Sequence, residues 1–115
     1  MQIQVNTDNN IAGGEELSAR IATRIHNHLD RYSRHITRIE VHLSDADGDK
    51  SGRSDKHCLI EARLEGRQPE VVSEQAATLE GAYSGAARKM QHALATTLGK
   101  LDHAKGAETI RTGEM

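Results

Sequence analysis

The first residues of the chain alternate. Met1, Ile3 and Val5 interleave with Gln2, Gln4 and Asn6, the pattern of a strand with one buried face. Gly13-Gly14 interrupts it, and Glu15-Glu16 follow, acidic side chains that suit the positive amino end of a helix. From Glu15 to about Ser33 the apolar positions recur at helical spacing. Leu17, Ile21, Ile25, Leu29 and Tyr32 fall on one stripe, with Ala22 beside it. Alternation returns over Ile36 to Ser44, with Ile39, Val41 and Leu43 inward and Arg38, Glu40 and His42 outward. A polar, glycine-bearing stretch, residues 45–57, reads as a long hairpin loop. His57 to Glu65 alternates again, with Cys58, Ile60, Ala62 and Leu64 inward. Gly66-Arg67-Gln68-Pro69 is a turn, and Glu70 to Gln75 is a short fourth strand carrying Val71 and Val72.

Ala76 to about His103 predicts a long helix through Leu79, Tyr83, Ala86, Met90, Leu94, Leu98 and Leu101. Gly81 and Gly85 lie one turn apart, each costing a helix about 1 kcal/mol relative to Ala. The expectation is a close approach to the sheet or to the first helix. Ala104 to Met115 lacks periodicity and is expected to be a flexible tail. The order is thus β-α-β-β-β-α, an α+β domain over residues 1–103. The strands on either side of the first helix should be parallel, and the later neighbours antiparallel. Each strand offers one apolar face, so both helices should pack on the same side of a four-stranded mixed sheet. The opposite side would carry Gln2, Gln4, Arg38, Glu40, His42, His57, Glu61 and Arg63.

Composition narrows the picture. Among 115 residues there is no Phe and no Trp, and Tyr32 and Tyr83 are the two tyrosines. The core must come from Ile, Leu, Val, Met and Ala. No apolar run approaches the ~20 residues of a membrane span. The amino terminus lacks the basic start and apolar stretch of a signal peptide. A single cysteine cannot form an internal disulfide, so the chain reads as cytoplasmic. With 15 Lys and Arg against 17 Asp and Glu, the net charge is -2. Any nucleic-acid binding must come from a local patch.

One such patch is written into the first helix. Arg20, Arg24, His28, Arg31 and Arg34 fall on a second stripe, about 100° around from the apolar one. Guanidinium groups grip phosphates bidentately, so the stripe could be an RNA-backbone ridge. From the stripe alone the favoured reading is the solvated face that every amphipathic helix has. The aspartate-rich loop spaces oxygens at Asp47, Asp49, Ser51 and Asp55 around Gly52, as in a calcium loop. The twelfth place is Cys58 rather than a bidentate Glu, and strands flank the loop, so no metal is assigned. The seven histidines, His26, His28, His35, His42, His57, His92 and His103, share no i, i+4 pair within one element and read as scattered imidazoles. Alternation buries Cys58, which makes it packing rather than a nucleophile. No phosphate-binding glycine loop, nucleophile elbow or CxxC pair is present, so no enzyme and no cofactor are expected. The two tyrosines lie on apolar stripes and leave no base-stacking platform.

The element order resembles that of the ribosome hibernation promoting factor and ribosome-associated translation inhibitor family. The resemblance rests on Met1-Gln-Ile3, on Leu29-Asp-Arg-Tyr-Ser-Arg-His-Ile-Thr37 leading into Ile39-Glu-Val-His-Leu-Ser44, and on Ala76-Ala-Thr-Leu-Glu-Gly-Ala-Tyr83 continuing to Arg88-Lys-Met-Gln-His-Ala-Leu94. It covers about residues 1–103. The family is similar to the double-stranded-RNA-binding fold. Its members lodge in the small ribosomal subunit, hold rRNA through Lys and Arg on both helices, and silence translation in stressed or stationary cells. The resemblance puts Arg31 where the family has a basic residue after the helix-one leucine, and Lys89 on the helix-two lysine. His92 replaces a usual arginine, and Arg20, Arg24, Arg34 and Arg88 lie near family basic positions. With His28 and Lys100 these make the candidate rRNA-binding set.

The sequence also departs from the family. Members tend to be more basic, and residues 45–57 carry four aspartates against Lys50, Arg53 and Lys56. Fewer phosphate contacts mean weaker, less salt-dependent binding. The second domain that longer members use for ribosome pairing is not expected here. The leading expectation is a factor that binds the small subunit and blocks translation sterically. The alternative is a diverged protein-interaction module or small homodimer that uses the polar sheet face.

Overall fold

The computed structural model describes residues 1–8, 11–45 and 56–110, with side chains to residue 99. The elements are β1 (Gln2–Thr7), α1 (Gly14–Leu29), a 3-10 turn (Asp30–His35), β2 (Ile36–Asp45), β3 (Lys56–Leu64), β4 (Glu70–Ala76) and α2 (Leu79–Ile110). The sheet runs in the order β1-β2-β3-β4. β1 pairs with β2 in parallel, Ile3 opposite Ile39 and Val5 opposite Val41. β2 and β3 are antiparallel, as are β3 and β4. This is the α+β architecture and strand pairing that the alternation implies.

One core fills the space between the helices and the sheet. Ile21, Ile25 and Leu29 of α1, Ile39 and Val41 of β2, Cys58 and Ile60 of β3, and Tyr83, Met90, Leu94 and Leu98 of α2 are all buried. Desolvation pushes the Cys58 thiol up to about 12, which keeps it protonated and inert.

Among the described residues two glycines stand where an added Cβ would come closer than 3.0 Å to a neighbour. Gly13 precedes α1 with φ 124°, and a Cβ there would sit 2.7 Å from the Leu17 Cβ. At Gly85 α2 packs directly on a side chain of the edge strand: an added Cβ would lie 2.7 Å from Glu74 Oε2. The expected close approach is therefore to the sheet. α2 opens with Thr78, whose Oγ1 accepts the Gly81 N–H at 2.9 Å, a side-chain cap.

Three boundaries differ from the periodicity reading by more than one residue. α1 ends at Leu29 rather than near Ser33, and the chain tightens into the 3-10 turn before β2. That turn, with fewer residues per revolution than an α-helix, brings Tyr32 against the core. α2 starts at Leu79, because Ala76 still pairs with Lys56 in the sheet. It also continues to Ile110, past the expected end at His103. Ala104, Lys105, Ala107 and Glu108 favour helix without needing an apolar stripe. Residues 46–55, which hold most of the expected loop and its calcium-like spacing, and residues 111–115 lie outside the described residues.

Candidate nucleic-acid interface

The predicted cations divide into three groups. The first is open. Arg20 on α1, Arg31 and Arg34 on the 3-10 turn, and Arg88 and His92 on α2 are exposed. Among the described residues none of these four arginines has an ion-pair partner. The end of α1 at Leu29 breaks the predicted five-residue stripe: Arg20, Arg24 and His28 follow one another at i, i+4 on the α-helix, whereas Arg31 and Arg34 share a face of the 3-10 turn at i, i+3. The Arg31 guanidinium lies 5.6 Å from the Tyr32 ring centroid, a distance at which a cation and an aromatic face attract.

The second group bridges the helices. Arg24 Nη1 donates to Ser84 Oγ at 2.6 Å, and Arg24 Nη2 lies 3.3 Å from Glu80 Oε2. His28 Nδ1 lies 3.0 Å from Gln91 Oε1. Ser84, Arg88 and Gln91 share one stripe of α2 by their spacing. Arg88 therefore stands on the same side of α2 as the two residues that meet α1. Sequence reasoning found the α1 members and missed Ser84, Gln91 and Glu80. Their only signal was a polar row on α2 beside the apolar one.

The third group is committed to the sheet. Lys89 Nζ lies 2.7 Å from Glu74 Oε1 and donates to the Ser73 carbonyl at 2.9 Å. It closes α2 over the edge strand next to Gly85. Lys100 lies in α2, and its side chain is outside the described ones. Tyr83 is buried and Tyr32 half-buried, so neither offers a free ring for base stacking.

The outer face of the sheet differs. Arg38 Nε donates to Glu40 Oε2 at 2.9 Å and Arg38 also donates to Gln4 Oε1. Arg63 approaches Glu40 at 4.0 Å and Glu61 at 3.6 Å, and His42 Nε2 lies 3.5 Å from Glu40 Oε1. The hydrogen bond from Arg38, aided by the charges of Arg38, Arg63 and His42, holds the Glu40 carboxyl below its ordinary 4.5 against the opposing effect of desolvation. Leu59 and Val71 are exposed on this face.

The family model for sigma 54 modulation protein / S30EA ribosomal protein matches residues 3–102. The chain belongs to that family. S30EA-family proteins are ribosome-associated factors rather than an enzyme family. The N-terminal domain of Thermus thermophilus Protein Y has the same fold, with a TM-score of 0.64 at 22% identity over 80% of this chain and 93% of that one. A ribosomal subunit interface protein from Coxiella burnetii superposes with a TM-score of 0.68 at 12% identity, covering 86% of this chain and 99% of that one. No curated protein matches by sequence. All the predicted cations, from Arg20 to Lys100, fall inside the matched S30EA region. Among the described residues no helix is long and apolar enough to cross a membrane.

Proposed function

We propose that this S30EA-family chain binds the small ribosomal subunit with its helix side toward the rRNA backbone and inhibits translation in the cytoplasm by steric occlusion. The observation that carries the reading is the set of exposed arginines at positions 20, 31, 34 and 88, without ion-pair partners among the described residues, in a protein with net charge -2. Cations without carboxylate partners are the ones free to release phosphate counterions. The scarcity of exposed aromatic rings favours contact with backbone and shape over reading of bases. No small-molecule substrate enters the mechanism.

Co-sedimentation of the pure protein with small subunits through a low-salt sucrose gradient tests the reading. The protein should travel with the subunits, leave them as salt rises, and reduce synthesis in a purified translation reaction. Protein left at the top of the gradient would count against it.

The exposed Leu59 and Val71 favour a second reading, a protein-interaction module that uses the sheet face. That reading expects partner capture to survive charge reversal of Arg20, Arg24 and Arg31, and to be lost on changing Leu59 and Val71 to Ser.

A further inference from the structure

We infer that Glu80 is a resident competitor for phosphate at Arg24, and that Ser84 is the residue that presents this guanidinium. The inference rests on the proposed function and assigns a gate to one position of its surface. Among the described residues Arg24 is the one candidate cation with a guanidinium nitrogen anchored on a nearly buried hydroxyl: Nη1 donates to Ser84 Oγ at 2.6 Å, and Ser84 is 6% exposed. A guanidinium is a rigid planar fork. Fixing Nη1 therefore fixes where Nη2 points, and less rotamer freedom remains to be lost on binding.

The direction it takes is occupied. Nη2 faces Glu80 Oε2 at 3.3 Å, and the two side chains are 39% and 67% exposed. A single-point pair of this length in contact with water is weak. A phosphate brings the same kind of acceptor with more oxygens and can engage the fork bidentately. Glu80 lies in the first turn of α2. Its carboxylate stands where a phosphate oxygen would bind.

Lys89 shows the contrast. Its carboxylate partner sits at 2.7 Å, is seated against Gly85, and is backed by a hydrogen bond to the Ser73 carbonyl. That ammonium holds α2 to β4 and is poorly placed to exchange partners. The Arg24–Glu80 pair has no such backing on its acidic side among the described residues.

A double-mutant cycle on the full chain tests the assignment. Binding of wild type, Glu80→Gln, Arg24→Gln, the double variant and Ser84→Ala is measured over a salt series, with purified small ribosomal subunits and with a short RNA duplex as separate probes. Glu80→Gln should tighten binding about threefold at low salt and steepen the salt slope by up to about 0.9, one further phosphate. The gain should vanish in the Arg24→Gln background. Ser84→Ala should weaken binding and shrink the Glu80→Gln gain. Thermal melts identify any variant whose loss is one of folding, and the salt slope reports a lost contact where folding is intact. A Glu80→Gln gain of equal size without Arg24 would mean a general charge effect and would overturn the inference, as would no gain at all. Wild type that binds the duplex but not the subunits, with the cycle intact, would sink the ribosomal role and leave the Arg24–Glu80 assignment standing. Tight subunit binding with a flat cycle would do the reverse, and failure to bind either probe would end both.

Discussion

On the outer face of the sheet Arg38, Arg63 and His42 gather around Glu40, while on the helix side Arg20, Arg31, Arg34 and Arg88 stand in solvent without ion-pair partners among the described residues. Both regions use the same residue types, and geometry separates them. In the sheet, Glu40 sits opposite Glu61 and Arg38 opposite Arg63. Each like-charged row lies beside a row of the other sign, within the reach of cross-strand and diagonal neighbours. On α1 Arg20, Arg24 and His28 follow one another at i, i+4. Glu16, one turn before Arg20, makes no ion pair with it, and among the described residues the acid that reaches this row is Glu80 of α2, at Arg24. A charge census by sequence treats the two faces alike. Among the described residues, Arg38, Arg63 and His42 of the sheet face have carboxylate neighbours and the four arginines of the helix side have none.

The comparison can be broken most directly by reversing the open cations. Changing Arg20, Arg31 and Arg88 together to Glu should weaken small-subunit binding by about 100-fold or more at low salt, because each lost phosphate contact removes released counterions. A loss below about tenfold would place the contact surface elsewhere. A finer contrast sets an open cation against a committed one. Arg20→Gln should lower the salt slope by about 0.9. Lys89→Met should leave the slope unchanged and cost at most about 1 kcal/mol of stability in a urea melt. Equal slope changes in the two variants would erase the division between open and committed cations.

Neutralising the sheet face is expected to do little to binding. Arg38→Gln with Arg63→Gln should leave affinity for the subunit within about twofold, the scale of a distant, screened charge change. The smallest effect is one of acid stability. Glu40 titrates below its ordinary 4.5 in the folded protein. Its contribution is therefore present above that value and is lost as pH falls through it toward the lower folded value. Thermal midpoints followed down from neutral pH should fall more steeply for wild type than for Glu40→Gln. Parallel curves would show that the Glu40 cluster adds nothing to folding.

The strands were legible because alternation over Met1 to Asn6, Ile36 to Ser44 and His57 to Glu65 admits one arrangement of buried faces. The ends of elements were less so. The switch at Leu29 from α-helix to 3-10 turn depends on where Tyr32 finds the core. The start of α2 depends on Ala76 still having a partner in β3. The late helix through Ile110 carries little apolar periodicity to announce itself. The candidate interface was legible as a list of cations and not as a set of roles. Arg24, Lys89 and Arg20 look equivalent in sequence, yet one is held by a serine and a glutamate, one is clasped to an edge strand, and one is open.

By itself the sequence determined the order of the elements, the face each one buries and the gathering of arginine on the first helix, because hydrophobic periodicity is a local property of the chain. Tertiary structure alone decided which cations keep their charge available. Arg24 meets Ser84 and His28 meets Gln91 across 60 and 63 residues. Pairing of that kind depends on how two helices pack over one sheet, and no local pattern encodes the distance between an arginine and an acid brought in by the fold.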